Sequence, residues 1–505
     1  MKFIYSFIII FITFGFTSCR NDFDFETSSG TDLRFSRDTV YLDTIFSNIG
    51  SSTYTLKVYN TTNNDIKIPS LKLGNGENSN FRLMVDGVAG KVFNNVELLA
   101  KDSMFIFVET TVDIQSLTNQ KEFLYTDQIQ FTSGSNSQKV ELVTLVKDAV
   151  FLYPQKFSDG TKETLPFDGD EIEGFFLDEN DPINGNELIW SNDKPYVIYG
   201  YAAVPSNKTL EVEAGAQIHF HANSGLLVAN NGNINAVGTI QNPIVFQGDR
   251  LEPSFENVPG QWGSIWLTVG SFGNFENAII KNATVGLLIN KNQGTVNLHN
   301  LQVYNVTDFG ILGRAATIRG TNVVTNNCGQ AALGCTFGGD YHFIQSTFGN
   351  YWNKPNQTSV VIDDYDGTPE FAIQQALFQN CIIYGSSSES LIMNKQGSDT
   401  NFNIKFENSL IKLIDFSNQV FGTFPYAFDN PTYFSNCLIA RTSQQYRPYF
   451  KNTNKNEMMI TDRATDIIGN GNLIFAQQVP FDISGISRIP NPDLGAYQHI
   501  LESEE

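Results

Sequence analysis

Apolar and polar positions alternate through the first part of the chain. Tyr54, Leu56 and Val58 take turns with Thr55, Lys57 and Tyr59, and a polar turn runs from Asn60 to Asp65. The alternation resumes at Phe81, Leu83 and Val85, at Met104, Ile106 and Val108, at Ile129 and Phe131, and at Val140 and Leu142. Period-two spacing broken by polar turns predicts half-buried antiparallel strands. About seven such runs between residues 31 and 150 predict a two-sheet sandwich. No chemistry-bearing side chains cluster there, so the segment reads as a spacer or docking module.

The back half repeats itself. Phe378, Asn380 and Ile383 recur as Phe406, Asn408 and Ile411 and again as Phe434, Asn436 and Ile439, at 28-residue spacing. Upstream, Phe275, Asn277 and Ile280 are followed 23 residues later by Leu298, Asn300 and Val303, and weaker copies begin at Ile318 and Phe343. Repeats of 20 to 28 residues with aromatic and β-branched positions, and without a 3.6-residue period, predict a parallel β-helix. Rungs stack about 4.8 Å apart, so a Phe column and an Ile/Val column fill the interior. The Asn between them tolerates a left-handed bend, and its amide reaches the next rung. Asn277, Asn300, Asn380, Asn408 and Asn436 therefore read as a structural ladder. Cys381 and Cys437 share one column two rungs apart, roughly 9.6 Å, beyond the about 7 Å a disulfide spans, and are expected free. Cys328 and Cys335 are close enough in sequence to pair.

Pro243-Ile244-Val245-Phe246 and Gly260-Gln261-Trp262-Gly263-Ser264-Ile265 resemble the Pro-Ile-x-Phe and Trp-Gly-Gly-Ile segments of pectate-lyase-like right-handed β-helix lipoproteins, with Ser264 in place of a glycine. Asp482 to Arg488 and Pro492-Asp493-Leu494-Gly495-Ala496-Tyr497-Gln498 are similar to the close of such helices, Gln498 replacing Glu. The resemblance spans roughly residues 195 to 500. With the front half similar to an immunoglobulin-like sandwich, the expected fold is all-β: an N-terminal Ig-like β-sandwich followed by a right-handed parallel β-helix. Such a fold hosts lyases, hydrolases, epimerases and adhesins, so it fixes no activity.

The start of the chain sets the expected compartment. Lys2, an apolar run from Phe3 to Phe16, then Thr17-Ser18-Cys19 form a secretory signal whose end resembles a lipobox. This implies cleavage before Cys19 and its acylation, and hence anchoring in outer-membrane lipid. Asp22, Asp24 and Glu26 resemble signals that send lipoproteins to the cell exterior; the periplasmic face is the alternative. The expected layout is a signal at 1–18, a tether at 19–30, the sandwich at 31–150, an acidic connector and helix N-cap at 151–200, the β-helix at 201–480 and a C-terminal cap at 481–505. Within this layout, 177–201 and Asp482 onward are the candidate caps.

The net charge of −21 argues against nucleic acid and anionic lipid as binding partners, and against polyanionic glycans unless Ca²⁺ or a local basic patch intervenes. The connector gathers Asp168, Asp170, Asp178 and Asp181, hard oxygen ligands of the kind a Ca²⁺ site needs; no other cofactor is indicated. Asp38-Thr39, Asp43-Thr44 and Asp102-Ser103 resemble O-glycosylation tripeptides at Thr39, Thr44 and Ser103. His219 and His221 form a possible Zn²⁺ pair without an evident third ligand.

The 35-residue step from Phe343 to Phe378 carries the richest chemistry. Asp340, His342, Asp363, Asp364, Asp366 and Glu370 supply candidate acids and bases for glycoside chemistry, and Tyr341, Tyr365 and Trp262 supply rings for sugar stacking. Asp363-Asp364 is similar to one polygalacturonase segment, but the Gly-His-Gly and Arg-x-Lys segments are missing, and Arg314 and Arg319 are scattered candidates for a lyase base. The expected function is a surface lipoprotein whose β-helix binds a glycan, polymer or protein partner without catalysis. A polysaccharide-active enzyme using the 340–370 rim, and a structural envelope protein, are the alternatives.

Overall fold

The computed structural model describes residues 25–27, 33–133, 135–167, 170–414 and 422–500. Cys19, the expected leader and Asp168 lie outside them. The chain forms two compact units, 1–148 and 149–505.

In the first unit, two sheets enclose one core of Leu56, Val58, Phe81, Ile106, Val108, Ile129 and Leu142. The alternation predicted from sequence holds: Ser103–Thr110 buries every second residue and pairs antiparallel with Tyr54–Asn60 and Phe81–Val85. The pairing is not wholly antiparallel, because the short strands Thr39–Tyr41 and Ile45–Phe46 join Asn136–Lys147 in parallel.

The second unit is a parallel β-helix with three walls. In the first wall Ile218, Phe246, Ile280, Val303, Thr325, Phe348, Ile383, Ile411 and Ile439 lie in register. The second wall stacks Leu226, Ile265, Leu287, Ile311, Leu333, Val360 and Leu391. The third stacks Ala236, Phe275, Leu298, Gly320, Phe343, Phe378, Phe406 and Phe434. Phe378, Phe406 and Phe434 pile face to face, with centroids 5.0 and 5.2 Å apart and planes 7° and 4° from parallel. Apolar residues on successive rungs thus bury one another, which is why each wall needs its repeat in strict register.

The helix starts earlier than expected. Val150–Leu152 already pairs with Tyr196–Ile198, and Ile189–Trp190 with Thr209–Val212, so the 151–200 stretch contributes rungs instead of a connector and cap. The copy placed at Ile318 is displaced by two residues, because Gly320 pairs with Leu298. A Cβ on Gly320 would stand 2.2 Å from the Phe343 ring, so glycine makes room for the aromatic of the next rung.

All five predicted ladder asparagines adopt left-handed φ, from 47° to 53°, and Asn322 (52°) and Gln345 (50°) fill the intervening rungs. Asn300 donates to Asn277 at 2.8 Å and Asn322 to Asn300 at 2.9 Å. A second ladder, not anticipated, runs through Asn282, Asn305 and Asn327, also left-handed; Asn327 donates to Asn305 at 3.3 Å. Cys328, Cys335, Cys381 and Cys437 are all free thiols, so the possible Cys328–Cys335 bridge does not form.

The C-terminal residues are not an end cap. They run back along the solenoid as a strap over the first ladder. Asn472 exchanges hydrogen bonds with Asn380, Gly495 donates to the Asn380 carbonyl, Ala496 donates to Thr347, and Asn322 donates to the Phe481 carbonyl. Arg488, fully buried, donates to the Asn322 side chain at 2.7 Å and to the Ala496 carbonyl at 2.8 Å. Burial lowers its pKa to about 10 against the opposing pull of Asp482 and Asp493.

Candidate functional site

Outside the third wall, register lines up a different set of side chains. The residue before each inward member of this column points outward, giving the row Glu211, Asn235, Asn274, Asn297, Arg319, His342, Leu377 and Lys405. Asn235 donates to Glu211 at 2.6 Å and Asn274 to Asn235 at 3.1 Å. Farther along, Arg319 donates to the Asp340 carboxylate at 2.7 Å and to its carbonyl at 3.1 Å. His342 donates through Nε2 to Gln379 at 2.9 Å, and Gln379 donates to Glu407 at 2.6 Å; Lys405 completes the chain to Glu407 at 2.8 Å. Burial pushes the Glu407 carboxyl up, but the bonds from Lys405 and Gln379 win and hold it below its ordinary value. The face carries hydrogen-bonded polar side chains at most rungs, with Leu377 the apolar exception.

At the corner between the second and third walls lies a hollow of about 580 Å³, lined by Asp363, Tyr365, Asn394, Lys395, Phe424 and Pro425 among others. Asp363 ends the strand Thr358–Asp363 and accepts the Phe337 N–H at 2.9 Å. Burial raises its pKa, partly offset by N–H donors from Phe337 and Tyr365. Tyr365 is exposed with φ 35°, its ring 4.6 Å from Phe337, and Lys395 lies 5.9 Å from the Phe424 ring while pairing with Asp399.

The expected site residues divide sharply. Asp340, His342, Asp363 and Tyr365 reach the outer face or the hollow. Asp364 is fully buried and accepts the N–H groups of Gln396 and Gly397 at 2.7 and 2.8 Å, so it ties one loop to the next and forms no acid–base pair with Asp363. Asp366 is exposed and caps its own turn through Thr368, and Glu370 pairs with Lys291 at 3.3 Å. Tyr341 is fully buried, its hydroxyl donating to the Gly338 carbonyl; it is a core ring, not a sugar platform. Trp262 is also core: it stacks on Phe220 at 4.3 Å and donates to the Lys281 carbonyl. A bulge between Ser264 and Ile265 separates it from Trp266, which faces the other way.

Of the expected Ca²⁺ ligands, Asp178 and Asp181 serve backbone turns, Asp170 begins the strand Asp170–Phe176, and Asp168 lies outside the described residues. Asp178 accepts from Asn180, and Asp181 from Ile183 and Asn184; among the described residues no three His, Cys, Asp or Glu side chains are grouped to hold a metal. His219 bonds the Gly248 carbonyl, while His221 pairs with Asp249 at 2.7 Å and stacks on Tyr199. Thr39, Thr44 and Ser103 are all partly exposed. The sequence reading passed over Asn297, Lys405, Asn394 and Lys395. Stepping the repeat frame back one residue from each Phe finds the first two, but nothing local marks the others.

Two solved structures align with part of the chain at 9% identity. The ASH / PapD-like domain of human CEP192 (PapD-like domain 7) aligns with 24% of this chain and 87% of its own length at a TM-score of 0.16. A family 123 glycoside hydrolase from Clostridium perfringens aligns with 24% of this chain and 26% of its own at 0.17. No curated protein matches the chain. Residues 183–271 match the family model described as a pectate-lyase like beta helix domain, in accord with the parallel β-helix those residues build.

Proposed function

We propose that this is a lipid-anchored bacterial surface protein, an immunoglobulin-like sandwich carrying a right-handed β-helix, that holds an extended glycan along the third wall without cleaving it. The observation that carries the reading is the outward row from Glu211 to Lys405, polar at every rung but Leu377 and braced by its own hydrogen bonds. Side chains already held in place lose little entropy on binding, and a repeat of about 4.8 Å suits a polymer of similar period. The leader ending in Thr17-Ser18-Cys19 supports the anchor, and Cys19 is its acylation site.

The test is a glycan array probed with the full chain, with and without divalent cations, followed by assays for reducing ends and unsaturated products. Binding that disappears in Arg319→Ala and Lys405→Ala, with no product formed, is the expected result. Binding indifferent to both substitutions refutes the assignment to this wall. A second reading, hydrolysis or elimination at the corner hollow, is favoured by the place of Asp363: it lines the hollow, and burial shifts its pKa upward, the direction a general acid needs. Product formation abolished by Asp363→Asn would establish it.

A further inference from the structure

Negative charge dominates the second unit. Of 32 Lys and Arg and 53 Asp and Glu in the chain, residues 31 to 148 hold 11 and 14, so most of the excess falls in the β-helix unit. Against that background, unpaired positive charge gathers at one place on the strap. The guanidinium carbons of Arg447 and Arg463 lie 4.8 and 4.5 Å from the centroid of the same ring, Tyr449. Both side chains are exposed, and neither makes a salt bridge with a carboxylate among the described residues. Lys412 sits over Tyr384 at 5.1 Å close enough to Arg447 for its pKa to fall, first through burial and then through that charge. Arg463, though not Arg447, also lines a hollow of about 330 Å³ with Lys451, Thr461, Asp462, His499 and the apolar Met459 and Ile460. The carboxylates nearby are Asp462, engaged with His499 at 2.5 Å, and Glu457, 3.8 Å from Lys451.

The backbone adds an independent sign. Tyr446 and Tyr449 hold φ of 45° and 41°, left-handed values that bulky residues rarely adopt, and they bracket Arg447. Strain of this kind persists where the surroundings enforce it, and it gathers at ligand clamps. Two like charges within about 5 Å of one ring centroid repel each other, and an anion bound by their N–H donors offsets that cost.

We infer that Arg447 and Arg463, with Lys451, form a binding site for the acidic group of a sugar, a carboxylate or a sulfate ester, whose ring packs against Met459 and Ile460. The site is separate from the third wall and does not depend on it. It is also the kind of local basic patch without which so acidic a protein repels acidic glycans.

Calorimetric titration of the full chain in detergent tests it with three probes: a short oligogalacturonide, a dextran sulfate oligomer and neutral maltopentaose. One acidic probe, whose identity distinguishes carboxylate from sulfate, is expected to bind at least tenfold tighter than maltopentaose and to weaken as salt rises. Arg447→Gln with Arg463→Gln should weaken it at least tenfold, and Lys451→Gln several-fold, the latter guarding against misfolding of the double variant. Lys208→Gln, at a surface cation paired with Glu179 and outside both sites, should leave this affinity unchanged. Acidic probes no tighter than maltopentaose, or affinity unaltered by the Arg447 and Arg463 substitutions, overturns the inference.

Discussion

Phe406→Ala removes the middle ring of the three-ring stack. Its side chain is fully buried, with neighbouring rings at 5.0 and 5.2 Å on its two faces. Truncating a buried Phe costs about 3–5 kcal/mol in transfer and cavity terms, and two near-parallel pairs place this site toward the upper end. Phe406→Leu keeps most of the apolar volume and should cost about 1–2 kcal/mol, mainly through lost ring contact. In a solenoid each rung leans on its neighbours, so the loss should stay local. Hydrogen exchange read by mass spectrometry is the assay. A local opening free energy lowered by about 4 kcal/mol speeds exchange roughly a thousandfold. That acceleration is expected in Ile373–Gln379, Phe402–Glu407 and Leu410–Lys412, with Gln217–Phe220 and Ile244–Gly248 unchanged. Uniform acceleration along the helix, or none in Ile373–Gln379, would refute nearest-neighbour stacking as the source of its stability.

Other outcomes are checkable in the same protein. Because burial raises the Asp363 pKa, its contribution is full below the unfolded value and lost as pH rises through the folded one; Asp363→Asn should raise protection of the 363–368 turn at neutral pH and flatten its pH dependence. The Asp249 hydrogen bond raises the pKa of His221, so the stability it lends is present below the unfolded value and lost as pH rises through the folded value. His221→Gln should abolish a pH-dependent change in exchange around residue 221. Burial pushes the thiols of Cys381 and Cys437 up to about 12 and raises Cys328 and Cys335 as well, so all four should resist a thiol reagent at pH 8 and react after denaturation. Rapid labelling of the native chain would contradict their burial.

The columns were legible because a rung repeats its chemistry at a fixed place, and the Phe and Asn frames needed no tertiary information. Some errors had their correction in the same pattern. Phe343 is inward, so period two sends Tyr341 inward and Asp340 and His342 outward, as observed. The same rule separates the adjacent Asp363 and Asp364. Another error arose from local irregularity: the Phe343 ring imposes a glycine where the repeat predicts a large residue. The strap was beyond reach. Its partners are ladder amides and carbonyls 64 to 166 residues away, and it has no period of its own.

One sequence feature nevertheless announced that some wall would be covered. Ile382-Ile383, Leu410-Ile411 and Leu438-Ile439 are doubled aliphatics, so both the inward and the outward positions of the first wall are apolar. A wall facing water needs only one apolar residue of each adjacent pair. The strap resolves the excess, since Ile382 and Leu410 pack with Ile460, Ala464, Ile467 and Leu494, and Tyr304 and Val324 with Met458, Ile483 and Ala496. It also satisfies the ladder amides that a bare corner would leave to solvent. The third wall shows the opposite pattern, apolar within and hydrogen-bonding without. Covering one wall with the chain's own tail while leaving another polar and largely hydrogen-bonded is the contrast that supports the proposed binding at the third wall. Deleting the strap should expose the first-wall aliphatics and drive aggregation before it alters any affinity at Arg319 or Lys405.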